Sequence, residues 1–391
     1  MIIYILMFIC SLFFIYIGEQ LDVEKNLKKT AVLAGNVVFY VPSIIKMTTI
    51  GGIYLLAILL PSFLAGYRDY TIGTDVLVYG NIWFHNAILS NNFWNYIEWA
   101  NNSSIGVLYA TFNYVVSRFT SNVHIFYFWY SFVETALVLM TLRKNRIDIV
   151  LGMSTYYFLF FNLTLNILRQ SLAMIVIVWG FNYVTEKKLW KYLLIVLIAS
   201  GFHSTAMIAI IIYPLYWIAN NREKLLNVFV LSVCVLFIVF SEKLTVIALN
   251  IGMLNERYSS YLMNSNIRGG FFAHLLFCLP ILILYLTAKN NTGDSRDSQR
   301  YNGFRLIVAF TTVLSGLNLK YVYLSRVTQY FDFLFLLAVP YIGNRCYVKI
   351  GRYRNTVVTK LLIYIYLITY WIIIYGVQNS GETVPYIWNF N

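Results

Sequence analysis

Long apolar stretches recur along almost the whole chain, separated by short connectors that carry most of its charge. The pattern predicts helical spans near 2–18, 47–65, 122–140, 149–164, 166–185, 189–201, 204–219, 224–241, 271–288, 303–319, 326–343 and 361–378. Segments such as 189–219 and 224–241 are apolar on every face, as a lipid-exposed helix must be. A soluble domain would show polar faces at helical period. The expected architecture is therefore all-α: a polytopic integral membrane protein of about 12 transmembrane helices. Residues 1–391 read as one transmembrane domain, because no interval between spans is long enough for a separate soluble one.

The composition agrees, with 60% hydrophobic, 18% aromatic and only 12% charged residues. Cys10, Cys234, Cys278 and Cys346 are scattered, without metal-ligand spacing, and read as packing residues with no disulfide framework. The segment Ile2 to Gly18 lacks a basic leader and a small-residue cleavage site, so it reads as a retained span.

Charge sets the orientation. Lys25, Lys28 and Lys29, then Arg143, Lys144 and Arg146, then Lys187, Lys188 and Lys191, fall in alternate connectors. Arg222 and Lys224, the run from Lys289 to Arg305, and Arg345 to Lys360 continue the alternation. By the positive-inside rule these connectors are cytoplasmic and both termini face outward. The net charge of +13 is thus a topology signal with some attraction to anionic membrane lipids, and nucleic-acid binding explains it poorly. Two stretches remain ambiguous: 31–45, short and carrying Pro42, and 104–119, assigned to an outward-facing re-entrant or interfacial helix. The longest polar connections, about 66–121 and 242–270, then lie on the outward face, where loops on a rigid scaffold carry function.

Four clusters at outward ends of spans hold the candidate chemistry. In the first, Arg68 precedes Gly73, Thr74, Asp75 and Tyr79. Gly73 permits a sharp turn, Thr74 can cap the following helix and Asp75 sits at its favourable N-terminal end. The cluster is either a loop-to-helix junction with a local Arg–Asp pair or an exposed arginine that meets an anion; the planar guanidinium fork suits pyrophosphate. In the second, Asn162, Asn166, Arg169, Gln170 and Ala173 fall at helical spacing along one stripe. Arg169 is there either a snorkelling interface residue or part of an inward polar site. The third is Phe202-His203-Ser204 between two short apolar helices, where an imidazole serves either structurally or as a proton acceptor. The fourth places Arg326, Gln329 and Tyr330 on one helical face, with Asp332 beyond them. Glu134, inside a span, needs a partner or a proton, while His85, His124 and His274 lack comparable polar neighbours in sequence.

From about residue 50 to 345 these clusters, in this order and on one membrane face, resemble the EpsG/Wzy-type polymerases of bacterial surface polysaccharide. The resemblance rests on Arg68 with Gly73-Thr74-Asp75 and Tyr79, Arg169-Gln170 with Ala173, Phe202-His203-Ser204, and Arg326 before an aromatic run. It implies a GT-C-like protein of the bacterial cytoplasmic membrane that joins oligosaccharide repeat units carried on undecaprenyl pyrophosphate. It further implies metal-independent, inverting glycosyl transfer with no cofactor, matching the lack of a DxD-like pair or a His/Asp metal cluster in the sequence. Arg68, Arg169 and Arg326 would stabilise the leaving pyrophosphate, with Gln170, Gly73, Thr74 and Tyr79 completing the substrate site. His203, or else Asp75, would take the proton of the acceptor hydroxyl. The implied partners are the lipid-linked oligosaccharide, membrane lipids, and the chain-length regulator and flippase of the same pathway. Rival classes are an O-antigen ligase, a lipid-linked oligosaccharide flippase with cations spread through a cavity, and a membrane acyltransferase. A purely structural membrane protein leaves the one-sided arginines unexplained.

Overall fold

The computed structural model describes residues 1–33, 44–219, 270–290, 295–316, 325–350 and 353–390, with isolated helical positions between 228 and 243. It is overwhelmingly helical, and the described residues fall into two compact units, 1–172 with 375–391, and 173–374. The predicted loop 242–270 apart from residues 243 and 270, half of span 224–241 and most of segment 31–45 lie outside the described residues.

The first unit is organised by three long helices: α1 (Ile2–Leu33), α2 (Ile44–Gly66) and α6 (Val123–Lys144). α2 lies between the other two, and the α2–α6 contact is close: a Cβ at Gly66 would stand 2.8 Å from Phe128 Cβ and 3.0 Å from the His124 carbonyl. Small residues let backbones approach in this way where no hydrophobic effect drives helices together. At one end of the bundle Arg143 donates to Asp22 at 2.7 Å and lies 4.6 Å over the Tyr54 ring, tying all three helices. The opposite end gathers polar backbone. There the Tyr4 hydroxyl donates to the Thr383 carbonyl at 2.8 Å, the Asp69 amide to Ile387 at 2.9 Å, and the Asn389 amide to Tyr67 at 2.9 Å. The N-terminus, the chain after α2 and the C-terminal segment thus share one end. Over this end fold the short helices α3 (Asn81–Leu89), α4 (Phe93–Asn102) and α5 (Val107–Ser117). Helix α7 (Ile149–Thr155) continues through a π-helical turn into α8 (Asn162–Thr164), and α9 (Leu168–Trp179) follows after a break.

The second unit contains α10 (Phe181–Thr185), α11 (Leu189–Phe202), a 3₁₀ turn over Ser204–Ile211 and α12 (Ile212–Ile218). After the undescribed interval come α13 (Phe271–Thr287), α14 (Ser295–Leu314), α15 (Ser325–Asp332), α16 (Phe335–Arg345) and α17 (Thr356–Trp371). A small antiparallel sheet, β1 (Lys289–Asn290), β2 (Cys346–Ile350) and β3 (Tyr353–Asn355), joins two of the basic connectors. Near it Tyr341 donates to the Asp297 carbonyl at 2.7 Å and Arg345 pairs with Asp297 at 3.6 Å. The two connectors assigned to one side by their charge therefore meet at one end of this unit.

Among the described residues, four helices are long and apolar enough to cross a bilayer: Ile2–Asp22, Thr48–Gly66, Val123–Lys144 and Thr356–Val377. The other predicted spans among the described residues are shorter or broken. The expected span 166–185 is interrupted at Gly180, and 326–343 divides at Phe333–Leu334, where bonds such as Leu334 to Phe331 tighten the turn. Such breaks survive at membrane depth only when protein covers their polar backbone, and the chain from Tyr330 to Gly343 is buried throughout. Segment 104–119 forms the eleven-residue α5, which rises ~16 Å, about half a hydrocarbon core. It does not cross.

The two-ended first unit yields a direct expectation for topology. Single cysteines replacing the exposed Asn95 and Lys144 lie at opposite ends of α6. Over the native cysteine background, Asn95→Cys should react with a membrane-impermeant maleimide in intact spheroplasts, and Lys144→Cys should react only after permeabilisation. Labelling of Lys144→Cys in intact spheroplasts contradicts the orientation.

Candidate functional site

At the polar end of the first unit the chain leaves α2 and immediately turns back. Arg68 makes the turn possible. Its Nη1 donates to the Ala65 carbonyl at 2.6 Å, Nε to Ile72 at 3.2 Å and Nη2 to Leu165 at 3.0 Å, and its guanidinium lies 4.8 Å over the Tyr127 ring. The Ala65 carbonyl lies in the last turn of α2, where such groups lack intrahelical partners. The sequence reading had Arg68 exposed to an anionic ligand; it is 1% exposed and spends its donors on backbone. It is a positioning residue.

The turn that follows is fixed by Gly73, whose φ is +91°, and whose missing Cβ would fall 2.6 Å from the Leu165 carbonyl. Conformation and contact both demand glycine. Asp69 accepts from the amide and hydroxyl of Thr71 at 3.0 and 2.6 Å and from Asn389 at 3.2 Å. The Thr71 hydroxyl first, then its amide, hold the Asp69 carboxyl below the usual carboxylate range. The Asn166 carboxamide oxygen accepts from the Thr74 hydroxyl at 2.9 Å and the Asp75 amide at 3.0 Å. Thr74 therefore does not cap the next helix as expected; a π-helical turn over Val76–Gly80 begins there without a side-chain cap.

The expected stripe from Asn162 to Ala173 is likewise divided, because the helix breaks between Thr164 and Leu168. Asn162 turns to the Thr383 hydroxyl at 2.9 Å, Asn166 holds residues 74–75, and Gln170 and Ala173 are buried. Arg169 projects among aromatics. Its guanidinium lies 4.3 Å over the Trp83 ring and donates to the Ser104 carbonyl at 3.1 Å. Trp83 also stacks on the exposed Tyr79 at 5.0 Å and meets Tyr109 edge-on at 5.7 Å. Burial pushes the Tyr109 phenol up; Arg169 opposes the shift and Asp75 adds to it, so both charges act on this one hydroxyl. Arg169, Asp75, Tyr79 and Trp83 thus form a cation and a stacking platform at one locus. The sequence offers many aromatic residues over 83–130 as stacking platforms and ranks none of them, although the four-residue step from Tyr79 to Trp83 on a helix is readable. Beneath them the buried Glu134 accepts from the Ser171 hydroxyl, a partner no sequence spacing suggested.

In the second unit His203 occupies the extended residue between α11 and the 3₁₀ turn, with φ −151° and ψ 119°. Its Nδ1 is 2.7 Å from Thr205 Oγ1, which is 3.0 Å from the Tyr330 hydroxyl on α15. The same helix carries the exposed Arg326 one turn before Tyr330. The third and fourth sequence clusters therefore join through Thr205. Two histidines thought to lack polar company also gain it. His124 donates from Nδ1 to the Gly66 carbonyl at 2.8 Å and stacks on Tyr70 at 4.7 Å. His274 Nε2 lies 2.8 and 3.0 Å from the Asp332 oxygens and Nδ1 lies 3.0 Å from Ser315 Oγ. The sequence reading found no His/Asp cluster of metal-ligand type; His274, Cys278 and Asp332 form one.

The model of the EpsG family matches residues 52–388, so the chain belongs to the EpsG family, whose members are membrane proteins of polysaccharide biosynthesis. No curated protein and no solved structure gives a significant match.

The Gly73 contact should be felt in stability. Gly73→Ala should cost about 1–3 kcal/mol through its backbone conformation alone, with the Leu165 contact adding to it. Gly51, helical and with open space around its absent Cβ, is the control; Gly51→Ala should be neutral or stabilising by up to about 1 kcal/mol. Thermal unfolding in detergent measures both, and equal melting temperatures for the two variants would refute the role given to Gly73.

Proposed function

We propose that this EpsG-family protein is a repeat-unit polymerase of bacterial surface polysaccharide. It joins oligosaccharides carried on undecaprenyl pyrophosphate at the outer face of the cytoplasmic membrane. The observation that carries the reading is the packing of Arg169 on Trp83 beside Tyr79 and Asp75 at the polar end of the helices. A lipid-linked sugar presents an apolar sugar face next to a pyrophosphate. An exposed aromatic stack suits the first and a guanidinium fork the second.

Cleaving the anomeric bond transfers the glycan to an acceptor hydroxyl and leaves negative charge on the lipid pyrophosphate. Arg169 stabilises that charge, and a low-dielectric setting strengthens the effect. The acceptor hydroxyl loses its proton to His203. For that role the imidazole must keep its lone pair on Nε2, so Nδ1–H donates to Thr205, whose hydroxyl in turn donates to Tyr330. Thr205 and Tyr330 thereby fix the tautomer, and Asp75 is the second choice for the base. Arg68, Gly73 and Thr74 build the turn that presents Asp75 and Tyr79, and Gln170 is buried next to Arg169 in sequence.

A strain lacking the protein should lose polymer and accumulate lipid-linked single repeat units on the outer leaflet. Accumulation on the inner leaflet would indicate a flippase, and unattached polymer of normal length a ligase. Complementation with Arg169→Ala should slow turnover by the loss of about 2–4 kcal/mol of transition-state stabilisation. Arg169→Lys should recover only part of it, lacking the fork and the stack. Wild-type polymer from Arg169→Ala at normal protein abundance would overturn the assignment.

The proton step has its own signature. His203→Gln should lower kcat about 100-fold or more while donor binding stays near wild type. Thr205→Val keeps the shape but removes the tautomer lock and should lower kcat by about 10-fold or more. Full activity in both variants would remove His203 from the reaction.

A further inference from the structure

We propose that His274, Cys278 and Asp332 hold a divalent transition-metal ion of the zinc class within the second unit. His274 and Cys278 are four residues apart on α13 and so share a face; Asp332 comes from the end of α15. Their ligand atoms all lie within 4.8 Å of one another. One nitrogen is the focus: His274 Nε2 faces both Asp332 oxygens at 2.8 and 3.0 Å and the Cys278 sulfur at 3.9 Å. A His–Asp ion pair accounts for two of these groups, and the four-residue helical step brings a third potential ligand, the Cys278 thiol, to the same nitrogen.

The donor set is a neutral nitrogen, a thiolate and a carboxylate, the combination a borderline-soft ion such as zinc accepts. Bonds of about 2.0–2.3 Å in a tetrahedron separate such ligand atoms by about 3.3–3.8 Å. To reach that spacing the carboxylate must open from Nε2 by about half an ångström, and the sulfur must close by a few tenths of an ångström on Nε2 and by up to about 1.3 Å on the carboxylate. Binding replaces the proton on Nε2 and the proton of the Cys278 thiol, both released to water. The imidazole then keeps its hydrogen on Nδ1 and donates it to Ser315 at 3.0 Å, the outer-shell bond that orients metal-bound histidines. Ser315 is itself buried and follows α14 directly. The ion would brace α13, α14 and α15, and α15 is the helix that carries Arg326 and Tyr330. The fourth position is left to water. The proposal does not depend on the reaction assigned above.

The test uses the full chain purified in detergent without chelators. Mass spectrometric metal analysis should find about one zinc per chain, and His274→Ala should lose it. Cobalt exchanged into the wild-type protein should give a thiolate-to-cobalt charge-transfer band, and Cys278→Ser should lack that band while retaining the fold. Ser315→Ala keeps all three ligands and should bind zinc about 10–100-fold more weakly. Wild-type protein with no zinc and no cobalt–thiolate band overturns the proposal, as does zinc retained undiminished by His274→Ala. If the variants fail to fold, the wild-type cobalt spectrum decides alone.

Discussion

Everything at the polar end of the first unit depends on one buried guanidinium. Arg68 takes the Ala65 carbonyl near the end of α2, the Ile72 carbonyl of its own turn and the Leu165 carbonyl from across the bundle. A carbonyl hidden from water without a donor costs on the order of 1–3 kcal/mol, and here a single side chain answers three. The charge comes with its own cost of burial, offset by those bonds and by the Tyr127 face. Once residues 65–72 are tied to Leu165, Gly73 can press against the same carbonyl, and Asn166 can hold Thr74 and Asp75. Arg169 lies in the first turn of the helix just beyond that contact. A turn in the backbone thus becomes the placement of a charge.

The chemistry proposed for the protein divides along the same lines. Groups suited to a sugar face and an anion, Tyr79, Trp83 and Arg169, belong to the first unit. The hydroxyl relay that can orient an imidazole, Tyr330 through Thr205 to His203, belongs to the second. In that unit α15 is the shared element, since it offers Arg326, the Tyr330 hydroxyl and the Asp332 carboxylate within two helical turns.

Membrane character, helical class and the end of the helices that gathers polar residues were legible from the apolar periodicity and the lysine and arginine bias, because both obey local rules. The family was legible from four short clusters read in order. Span lengths were less so: periodicity cannot show that 166–185 breaks at Gly180, or that 326–343 breaks at Phe333, since a buried break keeps the same apolar composition. Arg68 was misjudged for a related reason. An arginine after a span looks the same in sequence whether it faces water or a carbonyl from nearly a hundred residues away. The partners of Glu134, His203 and His274 were hidden because Ser171, Thr205 and Asp332 are ordinary residues until tertiary packing brings them close. Only the four-residue steps Tyr79–Trp83 and His274–Cys278 were local enough to be seen.

The central claim is that this protein makes glycosidic bonds from lipid-linked repeat units. The most direct measurement is reconstitution of the purified chain in liposomes with a single species of undecaprenyl-pyrophosphate-linked repeat unit, followed by separation of the glycolipids by length. The account predicts a ladder with one-repeat spacing, and one undecaprenyl pyrophosphate released for each bond formed. Folded protein that leaves the single-repeat lipid unextended, or moves it between leaflets without forming a bond, would contradict it.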